Sequence, residues 1–298
     1  WSERDAVLIT YGDSIRDGQH KPLDLLEDFL TRHMTGVVNG VHILPFFPFS
    51  SDDGFAVTDY RAVNPQLGDW VDIERIASKF HLMSDLVLNH VSSQGPWFTA
   101  YRQGQAPYDR FFYEADPADD LSRVVRPRTT PVLQKIETRH GDRHVWCTFS
   151  HDQVDLDFSN PEVLLEILRI IRLHIDKGVR TLRLDAVAFI WKEPGTSCIH
   201  LPQTHAIVQL LRLLCDYAVE TVVLLTETNV PRTENLSYFG NGNEAHAVYN
   251  FPLPPLILHA MQSGTARYLH RWQSAMPPAQ LGCTYLNFTA SHDGIGMR

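Results

Sequence analysis

Asn160-Pro-Glu-Val-Leu-Leu-Glu-Ile-Leu-Arg-Ile-Ile-Arg-Leu-His-Ile-Asp-Lys-Gly-Val-Arg-Thr-Leu-Arg-Leu-Asp185 holds a helix and the strand that follows it. Asn160 is an N-cap side chain, Pro161 suits the first helical position, and Glu162 falls in the electropositive first turn. Val163, Leu164, Ile167, Leu168 and Ile171 follow one helix face, and Gly178 is placed as the glycine that ends the helix. The period then changes to two. Leu182 and Leu184 share one face of the strand, and Arg183 and Asp185 share the other.

Working outward, β-rich runs occupy residues 6–11, 40–47, 82–89, 181–189, 221–228, 245–251 and 284–290. Helical patterns lie between them, near 70–80 behind Gly68-Asp69, and near 203–219 with a stripe of Ile207, Leu210, Leu211 and Leu214. Strands alternating with helices predict an α/β fold with a parallel sheet, a (β/α)8 barrel. Seven strands are one short of the eight that close a barrel, and the seventh ends close to Arg298. The expectation is a chain truncated after strand seven, with strand eight and a C-terminal domain beyond residue 298. Residues 91–150 show no period but carry aromatics, prolines and Arg123, Arg126 and Arg128. So long a connection predicts an inserted domain. The expected organisation is residues 1–90 as the first part of the barrel, 91–150 as the insertion, and 151–298 as the barrel continued.

Composition narrows the function. Lys plus Arg is 26 against 35 Asp plus Glu, a net charge of −9, which argues against nucleic acid and anionic membranes as partners. No stretch reaches the ~20 apolar residues of a membrane span. The four cysteines, Cys147, Cys198, Cys215 and Cys283, are widely spaced and read as reduced thiols rather than a zinc site. No signal peptide is visible, and the cytoplasm is the expected compartment.

Catalytic groups of a barrel sit where strands end. The strand ends here bring Asp85, Asn89, His90, Arg183, Asp185, Glu227, His292 and Asp293. Arg183 beside Asp185 is expected to keep that carboxylate ionised, as a nucleophile requires. Glu227 follows the apolar run Val222–Leu225, which is expected to raise its pKa toward that of a general acid. Two carboxyl groups in opposite environments are what retaining glycoside hydrolysis needs. Taken singly, an Asp at a strand end is more often a turn former or N-cap, and one histidine among fifteen says little. The weight lies in Asp185, Glu227 and Asp293, with two histidines and an arginine, recurring at strand ends.

Asp85-Leu-Val-Leu-Asn89-His90, Arg183-Leu-Asp185-Ala-Val, Thr226-Glu227 and Ser291-His292-Asp293 resemble, in order, the four signatures of the α-amylase superfamily, glycoside hydrolase family 13. Leu8-Ile-Thr-Tyr11, Gly40-Val-His-Ile-Leu-Pro-Phe-Phe47, Val154-Asp-Leu-Asp157 and His292-Asp-Gly-Ile-Gly296 resemble its sucrose phosphorylase subfamily. The resemblance implies a barrel with an inserted B domain. It makes Asp185 the nucleophile, Glu227 the general acid/base and Asp293 the transition-state stabiliser. Arg183 would orient Asp185, and His90, His292, Asp52 and Phe55 would line the glucosyl pocket. Arg126-Pro-Arg128 resembles the subfamily's phosphate-binding segment, and guanidinium forks suit phosphate. A second phosphate loop is expected beyond residue 298.

The implied enzyme is a glycoside phosphorylase, a hexosyltransferase giving α-glucose 1-phosphate, with phosphate as co-substrate and neither cofactor nor metal. Phe189 stands where sucrose phosphorylases tend to have tyrosine, and residues 195–205 and 226–231 look more like the branch acting on glucosylglycerate or glucosylglycerol. Glucosylglycerate is the expected donor, with sucrose, sucrose 6′-phosphate and glucosylglycerol as alternatives. The competing readings are an α-glucosidase or transglucosidase on the same barrel, and a non-catalytic barrel serving as a binding module. Oligomeric state is not legible in the sequence.

Overall fold

The computed structural model describes residues 2–218 and 222–295, so the expectations touching Val219, Thr221, Gly296 and Arg298 lie outside the described residues. The chain divides into two compact units, residues 1–204 and 205–298.

In the first unit β1 (Val7–Thr10), α1 (Pro22–Phe29), β2 (Gly40–Ile43), α2 (Trp70–Ala77) and β3 (His81–Val87) alternate. They are followed by β4 (His90–Ser92), α3 (Pro96–Arg102), β5 (Leu133–Thr138), β6 (Gly141–Trp146), β7 (Gln153–Asp155), α4 (Pro161–Asp176) and β8 (Val179–Asp185). β1, β2, β3 and β8 pair in parallel in that order. Leu182 and Leu184 are fully buried, as are Val41, Ile43, Leu82 and Leu86 on the neighbouring strands.

Local chemistry sets the boundaries. Asn160 caps α4 by accepting from Glu162 N at 3.1 Å, and Gly178 ends it at φ +92°, as the sequence predicts. Asp69 opens α2 in a reciprocal capping box with Asp72. Helix α2 stops at Ala77, short of the expected residue 80, because Lys79 N and Phe80 N both turn onto Ile76 O. Strands are shorter than expected too. Pro45 offers no N–H to extend β2, and Ala186 adopts φ +53°, which ends β8 and starts the turn Val187–Phe189. The buried face of α4 is also rotated from the expected stripe. Glu166, Ile170 and His174 join Val163, Ile167 and Ile171, while Leu164 and Leu168 are half-buried. Glu166 is compensated by Arg61 and by Arg169 at 3.1 Å.

His174 is fully buried, stacks on Phe47 at 5.1 Å, and lies 3.3 Å from Tyr60 O through Nε2. Burial pushes its pKa down to about 4. The folded ring stays neutral where the unfolded ring takes a proton. Its stabilising share is therefore present above the ordinary value of 6.5 and is lost as pH falls toward 4. That loss is on the order of 3 kcal/mol. Urea unfolding of wild type and His174→Gln between pH 7 and 4 checks it. The wild-type curve should fall more steeply, and parallel curves would remove His174 from the account.

Residues 91–150 hold more order than their lack of period suggests. β4, at the start of this segment, pairs antiparallel with β7 just beyond its end, and β5 and β6 form a hairpin within it. Beside the hairpin Val132, Trp146 and Cys198 make a small core with Tyr113, Leu121, Val124 and Leu133.

The second unit begins within α5 (Pro202–Ala218) and contains β9 (Val223–Thr226), α6 (Arg232–Ser237), β10 (Ala247–Tyr249), α7 (Leu253–Ser263), α8 (Arg267–Ser274) and β11 (Thr284–Leu286). β9, β10 and β11 are parallel in that order. On α5 the buried residues are Thr204, Ile207, Val208, Leu211 and Cys215, with Leu210 and Leu214 only half-buried. Among the described residues no helix is long and apolar enough to cross a membrane.

Candidate active site

The register between β3 and β8 sets Asp85 opposite Arg183 and Val87 opposite Asp185. Strand alternation then keeps Arg183 and Asp185 on one face. Arg183 Nη1 donates to Asp85 Oδ1 at 2.6 Å and to Asp185 Oδ1 at 2.7 Å. The other oxygen of Asp85 lies 2.7 Å from His42 Nε2. The result is a row, His42–Asp85–Arg183–Asp185, ending at the tip of β8.

The two carboxylates of this row differ. Burial alone would raise the pKa of Asp85, but His42 and Arg183 outweigh it and hold it down at about 2. Asp185 corrects the sequence expectation: its pKa is raised, not lowered. Burial is the main cause, the neighbouring Asp85 charge adds to it, and Arg183 and His90 only partly oppose it. One guanidinium is divided between two carboxylates, and the deeper one also has His42. Asp185 is thereby left the more basic of the two, which favours nucleophilic attack. The Arg183 guanidinium also lies 5.7 Å from the centre of the Phe55 ring.

Asp52, Phe55 and His90 join this region through a strained turn. Asp52 and Asp53 adopt φ +57° and +50°, and Gly54 adopts +108°. A Cβ on Gly54 would stand 2.9 Å from Pro45 Cβ, so the turn requires glycine there. Asp52 Oδ2 accepts from Gln153 Nε2 at 2.8 Å. Asp152 fastens the turn by accepting from Ser50 Oγ at 2.5 Å, from Ser93 Oγ at 2.7 Å and from Ser51. His90 is buried, with Nε2 3.2 Å from Phe55 O and its ring 5.1 Å from that of Phe149. Burial lowers its pKa. Phe149 in turn meets Phe189 edge-on at 5.4 Å.

The first unit thus brings together five of the expected residues: Asp52, Phe55, His90, Arg183 and Asp185. Arg126 and Arg128 are exposed on the loop before β5, and Val125 N ties that loop to Ser197 O at 2.9 Å. In the second unit Glu227 is half-buried directly after β9, between buried Thr226 and Thr228. Thr228 Oγ1 donates to Asn235 Oδ1 at 2.7 Å, and Asn235 Nδ2 donates to Tyr249 O at 2.9 Å, which fixes the backbone around Glu227. His292 and Asp293 lie in a turn closed by Gly294 N donating to Ser291 O at 3.0 Å. The Asp293 side chain is 75% exposed, with Oδ2 3.4 Å from His292 Nε2.

His42, Phe149, Gln153 and Lys192 belong to the same surroundings and were missed by the sequence reading. Gln153 and Phe149 flank the Val154-Asp-Leu-Asp157 segment already singled out, which was the available signal. His42 lies inside an expected strand, and period two does place it beside Leu44 rather than Ile43. Nothing in its neighbours marks it as a partner of Asp85.

A parallel α/β sheet with charged side chains gathered at a strand tip is the layout of an α/β-barrel enzyme. Residues 34–294 match the family model for the alpha amylase catalytic domain, and the chain belongs to the α-amylase family. The (β/α)8-barrel class expected from the alternation is the fold of that family. A glucosylglycerate phosphorylase of Allomeiothermus silvanus is 51% identical over 100% of this chain and 54% of its own length. One from Spirochaeta thermophila is 50% identical over 98% of this chain and 50% of its own length. The crystal structure of sucrose 6F-phosphate phosphorylase from Thermoanaerobacter thermosaccharolyticum superposes with a TM-score of 0.87 at 26% identity, covering 100% of this chain and 61% of that one. The chain spans about half the length of the curated relatives it matches.

Proposed function

We propose that this chain belongs to a retaining α-glucoside phosphorylase that moves a glucosyl unit from 2-O-α-glucosylglycerate to inorganic phosphate. The observation that carries the reading is Asp185, a half-buried carboxylate at the tip of β8, left basic near His90 and held by Arg183, whose guanidinium lies against Phe55. The choice of donor rests on the two relatives at 50–51% identity.

In this reading Asp185 attacks the anomeric carbon while Glu227 gives a proton to the departing glycerate oxygen. The C–O bond breaks and a covalent β-glucosyl ester forms, with Asp293 stabilising the oxocarbenium-like charge. Phosphate then attacks the same carbon and Glu227 takes back a proton. The ester breaks, and α-glucose 1-phosphate leaves with retained configuration. Asp52, Phe55, His90 and His292 bind the glucosyl ring, and residues 91–150 act as the B domain beside it. Arg126 and Arg128 hold the phosphate. Phosphate is the co-substrate, and the scheme draws on no cofactor or metal. We assign the enzyme to the cytoplasm, where its four free cysteines would stay reduced.

The test is to incubate the full-length protein with glucosylglycerate, with and without phosphate, and assay glucose 1-phosphate against glucose. Phosphate-dependent glucose 1-phosphate supports the reading, and free glucose at the same rate without phosphate overturns it in favour of a hydrolase. Running glucosylglycerol, sucrose and sucrose 6′-phosphate in parallel tests the donor. Arg126→Ala should raise the phosphate KM about tenfold, the worth of one charge-assisted hydrogen bond, and leave the donor KM near wild type. An unchanged phosphate KM would make Arg126 a solvated loop residue.

A further inference from the structure

Lys192 lies seven residues beyond Asp185, past the turn that ends β8, and its side chain is 1% exposed. Its Nζ is 2.9 Å from Asp155 Oδ2 on β7 and 2.7 Å from Asn89 Oδ1, between β3 and β4. Asp155 is fully buried and is further satisfied by Thr148, through N at 3.0 Å and Oγ1 at 2.5 Å. The proposed mechanism uses none of these groups, yet each is one step from the sugar pocket.

An ammonium has only protons to offer, so the atom of Asn89 facing it must be the amide oxygen. The Asn89 NH2 is then turned toward His90 Nδ1, at 3.3 Å. An amide NH2 also only donates, so His90 Nδ1 must accept. The proton of the neutral ring is left on Nε2, which faces an acceptor, Phe55 O, at 3.2 Å. The two ends of the chain of contacts agree. Gln153 Nε2, 3.1 Å from His90 Nε2, gives one of its two protons to Asp52, and the second would favour the opposite tautomer, but that single contact stands against both the Asn89 NH2 and Phe55 O. The opposite tautomer would also set Nδ1–H against the Asn89 NH2. Rotating Asn89 to avoid that would set its NH2 against the ammonium. The bond to the charged group is the stronger and decides the orientation.

We propose that Lys192 is a positioning residue: its ammonium orients the Asn89 amide and thereby holds His90 as the Nε2–H tautomer, a fixed donor at the glucosyl pocket. The inference rests on the reading of His90 as a sugar-binding residue only for its effect on turnover. The tautomer itself is read without substrate.

The experiment is a long-range ¹H–¹⁵N correlation of the histidine rings in ¹⁵N-labelled full-length protein, with His90 assigned by its loss in His90→Gln. Wild type should show a single neutral ring protonated at Nε2, and protonation at Nδ1 overturns the proposal at once. In Lys192→Met the ring should become a mixture of tautomers. If that variant does not fold, because Asp155 is left as a lone buried charge, the double variant Lys192→Met/Asp155→Asn removes both charges and should give the same mixture. A folded variant of either kind that keeps the single wild-type tautomer overturns the proposal. Where the protein proves to be a phosphorylase, Lys192→Met should raise the donor KM about tenfold and leave the phosphate KM alone. A fall in kcat with an unchanged donor KM would make Lys192 structural only. Failure of phosphorolysis in wild type would sink the functional reading and leave the ring measurement standing.

Discussion

In the proposed mechanism, Asp185→Asn should lower phosphorolysis by more than about 10⁴-fold and leave the melting temperature close to wild type. The amide keeps the shape and one acceptor for Arg183, but it cannot form the glucosyl ester. Stability should hold because Arg183 remains bonded to Asp85 at 2.6 Å and because the charge being removed is poorly stabilised. Burial and the adjacent Asp85 already push Asp185 toward its neutral form, so a neutral amide relieves that penalty. The pairing of a large kinetic loss with little change in unfolding separates a nucleophile from a structural carboxylate. Activity within tenfold of wild type would remove Asp185 from the nucleophile role. Normal activity loss with a collapsed melting temperature would return it to the scaffold.

The contrast between Asp185 and its neighbours shows what could be read from the sequence. Period two in Leu182-Arg183-Leu184-Asp185 was enough to place the arginine and the carboxylate on one face, and the structure joins them at 2.7 Å. Local punctuation was equally readable: Asn160, Pro161 and Gly178 bound α4 as written, because caps act within one turn of chain. The sign of the Asp185 shift was not readable. It depends on Arg183 also serving Asp85, and that follows from the β3–β8 register, a pairing of residues ninety-eight positions apart. Strand ends were read too long for a related reason. Ala186 gives no hint of its φ of +53°, which the structure around the tip of β8 imposes. The hairpin β5–β6 escaped notice because its inward face is small. Its core is Val132, Trp146 and Cys198, and Cys198 comes from a distant loop. Gln153 and Lys192 were missed because a single polar residue has no period. Their roles come from what other strands bring beside them.

Asp85→Ala should cost about 3–5 kcal/mol of stability, the penalty for breaking a buried ion pair by removing one partner. That corresponds to a melting temperature lower by roughly 10 °C for a chain of this size. Asp85 is fully buried and is the only described group that bonds both His42 and Arg183, at 2.7 and 2.6 Å. Its pKa of about 2 against an ordinary 3.8 fixes the pH dependence. A lowered carboxyl stabilises the fold above the ordinary value, and the contribution disappears as pH falls from about 4 toward 2. The wild-type advantage over Asp85→Ala should therefore be constant above pH 5 and should shrink on acidification. The same substitution acts on Asp185 in the opposite sense. With the Asp85 charge gone, Asp185 loses that like-charge neighbour and no longer shares Arg183 with it, so the Asp185 pKa falls. The acid limb of kcat/KM, which in the proposed mechanism reports ionisation of Asp185 in the free enzyme, should move to lower pH. Asp85→Asn should move that limb in the same direction with a smaller loss of stability, because the amide oxygen can still accept from Arg183. An acid limb that moves to higher pH, or stability that stays at the wild-type level, would show that Arg183 is not divided between the two carboxylates. The basicity of Asp185 would then need another source.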